Sequence, residues 1–318
     1  MDSKRDLLAI DDFTPEELRS IIQWGIAAKQ DDGLFEEFMP LHGLTIGSIY
    51  EKPSTRTRVS FEVGIDKLGG NPLTLLKGDI QLGKSESIED TAAVLSRYLG
   101  AITYRCFAHS DVERLANGSS VPVINALSDL HHPCQAAADM MTILENFDDA
   151  SEVKVAWVGD GNNVLHDLML GAASLGMKMY YAVPKGFEPN EDVVKRARIL
   201  ANNSGGEIRL THDPIDAVKD ANVIYTDVFI SMGEEHMKDK MKAFDKFQVN
   251  EELVAHADPD YIFMHCLPAH RGEEVTDGVI DSSNSVVFDQ AENRMWAQMS
   301  VMTFLIHPIA WEAFSELH

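Results

Sequence analysis

The sequence predicts an α/β protein of two doubly wound domains. Each is a mostly parallel β-sheet flanked by helices, and a C-terminal helix returns to the first domain. Three observations predict this. Short β-rich runs alternate with helical patterns along the whole chain, which means βαβ units and parallel sheets. The length of 318 residues suits two domains, each large enough for its own core. A hydrophobic fraction of 45% beside 25% charged residues is that of a globular chain.

In the first half, strands are expected at 44–50, 72–76, 101–106 and 121–126. A helix over 55–68 is closed by Gly69-Gly70, and one over 87–99 by Gly100. The latter opens on Ser87-x-x-Asp90, a variant of the capping box. The segment 134–147 reads as an amphipathic linking helix, with Ala138, Met141 and Leu144 on one side. Asp148-Asp149 then precedes a fresh strand. In the second half, strands are expected at 153–158, 178–183, 207–211, 223–226 and 261–266. Helices fall between them at 164–175, 191–202 and 216–221. The last segment is helical and long enough to pack back across the first domain. The expected division is 1–147, 148–290 and a returning helix within 291–318.

The net charge of −24 argues against a nucleic-acid binder, which needs surplus Lys and Arg at its surface. It argues equally against an anionic membrane surface. No run of 18 apolar residues is present, so no spanning segment is expected. The N-terminal residues lack the apolar core of a signal peptide. Cys106, Cys134 and Cys266 form no C-x-x-C pair, so neither a disulfide framework nor a structural zinc site is expected. A reducing cytoplasm is the default location.

The strongest local signal is Glu51-Lys52-Pro53-Ser54-Thr55-Arg56-Thr57-Arg58, after a strand and at the start of a helix. Ser54 is placed as N-cap, with the N–H groups of Thr55, Arg56 and Thr57 pointing out of the helix end. Such an end binds anions through those donors and the macrodipole. Two hydroxyls and the Arg56 guanidinium add donors matched to phosphate. Cations in a first turn oppose the dipole, and an anionic ligand resolves that conflict. The plainer alternative is a solvated basic helix start with an ordinary cap.

His131-His132-Pro133-Cys134-Gln135 opens the linking helix. An imidazole and a carboxamide there suit a small polar group; the alternative is a capping His beside a buried Cys. Gly159-Asp160-Gly161-Asn162-Asn163 follows a strand and superficially resembles a dinucleotide fingerprint. Val164 stands at the third glycine position and no ribose acid follows about twenty residues on, so nicotinamide binding is disfavoured. The loop still lies at a strand's carboxyl end, where Asn163 can present an amide. Asp227 ends another strand and can hold an ammonium group or simply close a loop; Ser231-Met232-Gly233 follows. Met264-His265-Cys266-Leu267-Pro268-Ala269-His270 offers a thiol between two histidines, and Leu267-Pro268 is a candidate cis peptide. Arg294 is an isolated cation in the last helical pattern.

Taken together, these motifs resemble the aspartate/ornithine carbamoyltransferase family, from about Leu7 to the final helix. Ser54-Thr55-Arg56-Thr57-Arg58 is the shared signature. His132-Pro133-Cys134-Gln135, Asp227-x-x-x-Ser231-Met232-Gly233 and His265-Cys266-Leu267-Pro268 look like its ornithine branch, as does Gln81-Leu82-Gly83 with Glu86-Ser87-Ile88-Glu89-Asp90. The resemblance implies carbamoyl phosphate in the first domain and L-ornithine in the second, with neither metal nor organic cofactor. It assigns the phosphate to Ser54, Thr55, Arg56 and Thr57, with Gln81 reaching a phosphate, often across a subunit boundary. Arg105 then bridges phosphate and carbamoyl oxygens, and His132 bonds the carbonyl oxygen. Gln135, with the main chain around Cys266 and Leu267, takes the carbamoyl nitrogen, and Arg294 completes the anion site. Asn163, Asp227, Ser231 and Met232 hold the amino-acid end of ornithine, with Cys266 near the attacking amine. Arg56, Thr57, Arg105, His132 and Cys266 make up the implied catalytic set. A homotrimer, or a multiple of trimers, is also implied. Three other readings compete: a carbamoyltransferase for another amine such as putrescine, a nicotinamide oxidoreductase, and a non-catalytic binding protein.

Overall fold

The computed structural model describes residues 4–31, 38–83, 85–230, 238–308 and 311. The chain divides into two compact units, Met1–Met141 with Glu292–His318, and Thr142–Ala291.

The first unit is built from α1 (Pro15–Gln30), β1 (Thr45–Tyr50), α2 (Thr55–Lys67), β2 (Asn71–Leu76), α3 (Ile88–Leu95), β3 (Ala101–Arg105), α4 (His109–Gly118), β4 (Val123–Leu127) and the start of α5 (Pro133–Asn146). Its four strands are all parallel, in the order β2-β1-β3-β4. Ile49, Ile102, Tyr104 and Val123 from the sheet pack with Val112 and Leu115 of α4 in the core. Cys106 lies in that core, and burial pushes its thiol up to about 12. A thiol so placed is inert packing.

The second unit holds β5 (Lys154–Val158), α6 (Asn163–Ser174), β6 (Lys178–Ala182), α7 (Glu191–Ser204), β7 (Glu207–Thr211), α8 (Pro214–Val218), β8 (Val223–Thr226), α9 (Glu251–Val254), β9 (Ile262–His265) and α10 (Asp277–Ile280). Its five strands are again all parallel, in the order β7-β6-β5-β8-β9. Ala156, Val158, Ile224 and Phe263 of the sheet pack with Val218, Val275 and Val279.

The last helix, α11, runs Val287–Ile306, and its residues from Glu292 on belong to the first unit. The Ser300 hydroxyl donates to the Ile21 carbonyl of α1 at 2.6 Å. A Cβ on Gly64 of α2 would stand 3.0 Å from Met299 Cγ, so glycine lets the two helices close. The expected return to the first domain is therefore present.

Strand positions agree with expectation to within two residues. Four helices escaped the sequence reading: α1, α4, and the short α9 and α10. The first carries a full capping box: Thr14 Oγ1 accepts from Glu17 N, and the Glu17 carboxylate accepts from Thr14 N. The helix expected to run to residue 99 ends its regular turns at Leu95, where the Ser96 hydroxyl bonds back to the Ala92 carbonyl at 2.6 Å.

In each sheet the chain reverses its direction of progress at one place. In the first unit this is between β1 and β3, and in the second between β5 and β8. Open parallel sheets bind ligands outside the carboxyl ends of strands at such switch points. The loops there are Glu51–Ser54 after β1, the residues after Arg105, Gly159–Asn162 after β5, and Asp227 after β8. Among the described residues, no helix is long and apolar enough to cross a membrane.

Candidate active site

In the first unit, Ser54 adopts extended φ/ψ and caps α2, its Oγ accepting from Thr57 N at 3.2 Å. The cap thus uses the Thr57 amide, so of the three N–H groups counted from sequence, those of Thr55 and Arg56 remain beyond the cap's reach. No acidic residue occupies the first turn. Arg58 turns away, donating to Glu62 Oε1 at 2.9 Å as an (i,i+4) pair on the exposed face. It does not join the anion site, and such a surface pair contributes little.

Behind the helix end lies a buried polar chain. Arg294 donates to Thr57 Oγ1 at 3.2 Å and to Gln135 Oε1 at 2.6 Å. Gln135 Nε2 donates to Asp139 Oδ1 at 2.8 Å. Thr57, Gln135, Asp139 and Arg294 are all 3% exposed or less. Arg294 Nε has no hydrogen-bond partner among the described residues. A buried guanidinium held by neutral acceptors, with a donor to spare, is poised for an anion.

Arg105, at the end of β3, and His132, just before α5, are also buried. Burial, then the Arg294 and Arg105 charges, hold the His132 imidazole well below its usual pKa. His132 is therefore neutral at physiological pH and can donate one N–H without becoming an acid. His131 is not among the causes of that shift. It packs edge-on against the His109 ring at 5.0 Å, and its main chain is tied to Ser128. Lys52 lies 4.6 Å from the Phe107 ring centroid, its pKa lowered by burial and then by Arg105. Gln81 is exposed and accepts from Ser85 Oγ at 3.0 Å.

In the second unit, the glycine motif is used for packing. A Cβ on Gly161 would fall 2.4 Å from the Phe187 carbonyl oxygen, so only glycine fits beneath that backbone. This accounts for the motif without a pyrophosphate. Asn162 caps α6, its Oδ1 accepting from Val164 N and Leu165 N, while its Nδ2 donates to Asp227 Oδ2 at 2.9 Å. Asn163 is the first residue of α6 and is half-buried. Asp227 is buried, and its Oδ1 accepts from Cys266 Sγ at 3.0 Å. An S–H that donates to a carboxylate is a thiol, not the nucleophilic thiolate. The Leu267-Pro268 bond is cis, as the sequence suggested. Ser231 and Met232 lie outside the described residues.

Asp227, His265 and Cys266 place potential metal ligands within 4.8 Å of one another. The donor set does not suit a metal, because both His265 nitrogens are engaged. Nδ1 accepts from Leu267 N at 2.9 Å and Nε2 faces Glu274 Oε1 at 3.1 Å.

The structure thus gathers Ser54, Thr57, Arg105, His132, Gln135 and Arg294 in the first unit, and Asp227, Cys266 and Leu267 in the second. Two family models match in sequence. The aspartate/ornithine carbamoyltransferase carbamoyl-P binding domain matches residues 5–145, and the Asp/Orn binding domain matches residues 151–305.

The chain belongs to the aspartate/ornithine carbamoyltransferase family.

It is 55% identical over 303 residues to an ornithine carbamoyltransferase of Thermococcus kodakarensis, covering 95% of this chain and 96% of that one. The ornithine carbamoyltransferase of Pyrococcus abyssi is equally similar, at 55% over 303 residues with the same two coverages. Among solved structures, the ornithine carbamoyltransferase from Pyrococcus furiosus matches with a TM-score of 0.93 at 54% identity, over 96% of this chain and 98% of that one. One feature of this carbamoyltransferase is spatial and not sequential: Arg294 falls within the stretch matched by the second family model, yet in space it belongs to the carbamoyl-P unit.

Several residues that shape the site escaped the sequence reading. Asp139 orients Gln135 from one helical turn further on, a spacing that an (i,i+4) search finds. Asn162, next to the chosen Asn163, is the residue bonded to Asp227; its N-cap position was the signal. Glu274 and Gln290 hold His265, and nothing local announces them.

Proposed function

We propose that this carbamoyltransferase is an ornithine carbamoyltransferase, transferring the carbamoyl group of carbamoyl phosphate to the δ-amine of L-ornithine. L-Citrulline and phosphate are the products. The observation that carries the reading is the buried group of Arg105, Arg294 and a neutral His132 beside the capped end of α2. It matches a substrate with a phosphate at one end and a carbonyl oxygen at the other.

The amine lone pair attacks the carbonyl carbon, and the C=O electrons move onto oxygen. Thr57, Arg105 and His132 donate to that oxygen as its charge grows. The tetrahedral centre then collapses. The bond to the phosphate oxygen breaks, and phosphate leaves with the electron pair and takes up the amine proton. Ser54, Thr55, Arg56 and Arg294 stabilise the departing anion. Gln135 and the carbonyls of Cys266 and Leu267 accept from the carbamoyl NH₂, which fixes the carbonyl's orientation. Asn163, Asp227, Ser231 and Met232 hold the amino-acid end of ornithine, and that end is what putrescine lacks. Residues of the chain supply every role in this scheme.

The reacting amine must be neutral. With an alkyl-ammonium pKa near 10.4, kcat/KM for ornithine is expected to rise about tenfold per pH unit below that value, until another group titrates.

The enzyme works in the cytoplasm as a homotrimer or a multiple of trimers, with Gln81 reaching a neighbouring copy's phosphate. Support comes from exposed apolar side chains on the first unit: Val59 and Val63 of α2, and Leu73 and Leu76 of the edge strand β2.

Two substitutions test the assignment. Arg56→Gly is expected to cut kcat/KM for carbamoyl phosphate by about 10²–10³ while leaving the ornithine KM nearly unchanged. Parental turnover at both low and saturating carbamoyl phosphate would sink the phosphate site. Cys266→Ala is expected to raise the ornithine KM, and the parent to form no covalent intermediate. Mass spectrometry revealing a carbamoylated Cys266 that turns over would overturn direct attack.

A further inference from the structure

We propose that Glu274, acting through His265, is a positioning residue that sets the direction of the Cys266 and Leu267 carbonyls. This rests on the reading above, in which those carbonyls hold the carbamoyl nitrogen. Leu267 has a φ of +56°, in the left-handed region that a residue with a side chain adopts only when its surroundings impose it. Its N–H donates to His265 Nδ1 at 2.9 Å. That nitrogen must therefore carry a lone pair, and the ring proton must sit on Nε2. Nε2 lies 3.1 Å from Glu274 Oε1, and a carboxylate can only accept, so Glu274 selects the same tautomer.

The rest of the ring's environment is equally determined. Glu274 Oε1 also accepts from His270 N at 2.6 Å. His265 N donates to Gln290 Oε1 at 2.9 Å, and Gln290 Nε2 donates to Tyr225 Oη at 3.0 Å. His265, Glu274 and Gln290 are all fully buried, so water cannot substitute for any of these partners. Without the carboxylate, the tautomer with the proton on Nδ1 is free to form. It would set an N–H against the Leu267 N–H, the left-handed turn would open, and the two carbonyls would rotate. Displacing a positioning group by about 1 Å costs on the order of 10² in rate.

The test compares Glu274→Gln with Glu274→Leu in the full-length enzyme. Glutamine keeps an acceptor oxygen, and leucine fills the space without one. The ring tautomer is read by long-range ¹H–¹⁵N correlation in ¹⁵N-histidine-labelled protein, with His265→Gln assigning the signal. Steady-state kinetics give kcat and both KM values, and inorganic phosphate binding by calorimetry reports the other unit. The expected result is a Nε2–H ring in the parent and in Glu274→Gln, with the kcat of Glu274→Gln within about threefold of the parent's. Glu274→Leu is expected to show Nδ1–H character and a kcat lower by about 10–10², with phosphate binding unchanged. A Glu274→Leu enzyme that keeps its tautomer and its kcat overturns the proposal. So does a glutamine variant as impaired as the leucine one, or a loss of phosphate binding in step with kcat. Should the leucine variant not fold, Glu274→Ala takes its place, and a changed tautomer or a tenfold loss in Glu274→Gln is again decisive against. If the parent itself forms no citrulline, the functional reading falls, while the tautomers still decide the relay.

Discussion

Arg294→Met is expected to lower citrulline formation by about 10²–10³ while leaving the fold nearly as stable as before. Arg294 is 3% exposed, and its bonds are to neutral oxygens, Thr57 Oγ1 and Gln135 Oε1. A buried cation without a carboxylate partner is a poor stability device, since desolvating the charge costs several kcal/mol. Methionine of similar volume removes that cost. It also strips the donors from Thr57 and Gln135, at about 1–3 kcal/mol for each acceptor left unsatisfied. The two effects oppose each other, so thermal unfolding should move little while turnover collapses. A further signature follows from the same geometry. The Arg294 charge is the second cause, after burial, of the depressed His132 pKa. Its removal should raise that pKa and move to higher pH the His132 inflection, which lies on the acid side of the pH–rate profile below the limb set by the substrate amine. A variant that unfolds more readily but turns over normally would mean that Arg294 serves structure and not the anion.

His132→Phe is expected to lower kcat by about 10²–10³, with a smaller change in the carbamoyl phosphate KM, because its donated N–H matters most when charge develops on the carbonyl oxygen. The same substitution should flatten the acid side of the stability curve. The His132 pKa in the folded protein lies well below the ordinary value near 6.5 that the unfolded chain keeps. Between those two values the unfolded chain binds a proton that the folded one refuses. Stability therefore rises with pH there, and it is lost as pH falls from 6.5 towards the folded value. The slope reaches about 1.4 kcal/mol per pH unit. Phenylalanine has no such proton. Denaturant midpoints at pH 7 and pH 5.5 should accordingly lie closer together in His132→Phe than in the parent. An unchanged pH dependence would mean that other groups dominate acid unfolding.

What the sequence disclosed follows the range of the interactions. The Ser54 cap was readable because its partner, Thr57, is three residues away. The alternating strands and helices were readable because each pattern is local. The bond from Arg294 to Thr57 spans 237 positions, so the sequence displayed only a solitary cation near its end. Family resemblance, not spacing, joined Arg294 to the anion site. The Glu274–His265 contact was hidden differently: nine residues separate the two along an irregular loop, where no periodicity reports which side chains meet. The glycine motif was ambiguous for a related reason, although its missing third glycine already disfavoured a dinucleotide. A glycine that admits a ligand and one that admits a neighbouring backbone look alike in sequence, and at Gly161 the neighbour is the Phe187 carbonyl. Arg58 stands inside the signature stretch, yet the helix turns it towards Glu62.

The most direct test of the whole account is to offer the enzyme carbamoyl phosphate with ornithine, putrescine or aspartate, side by side, and to measure carbamoylated product and phosphate together. Citrulline and phosphate are expected in equal amounts from ornithine. The kcat/KM for ornithine is expected at least about 10² above that for either alternative, because a site built to bond polar groups rejects a substrate that lacks them. Equal use of putrescine, or phosphate release without citrulline, would contradict the assignment.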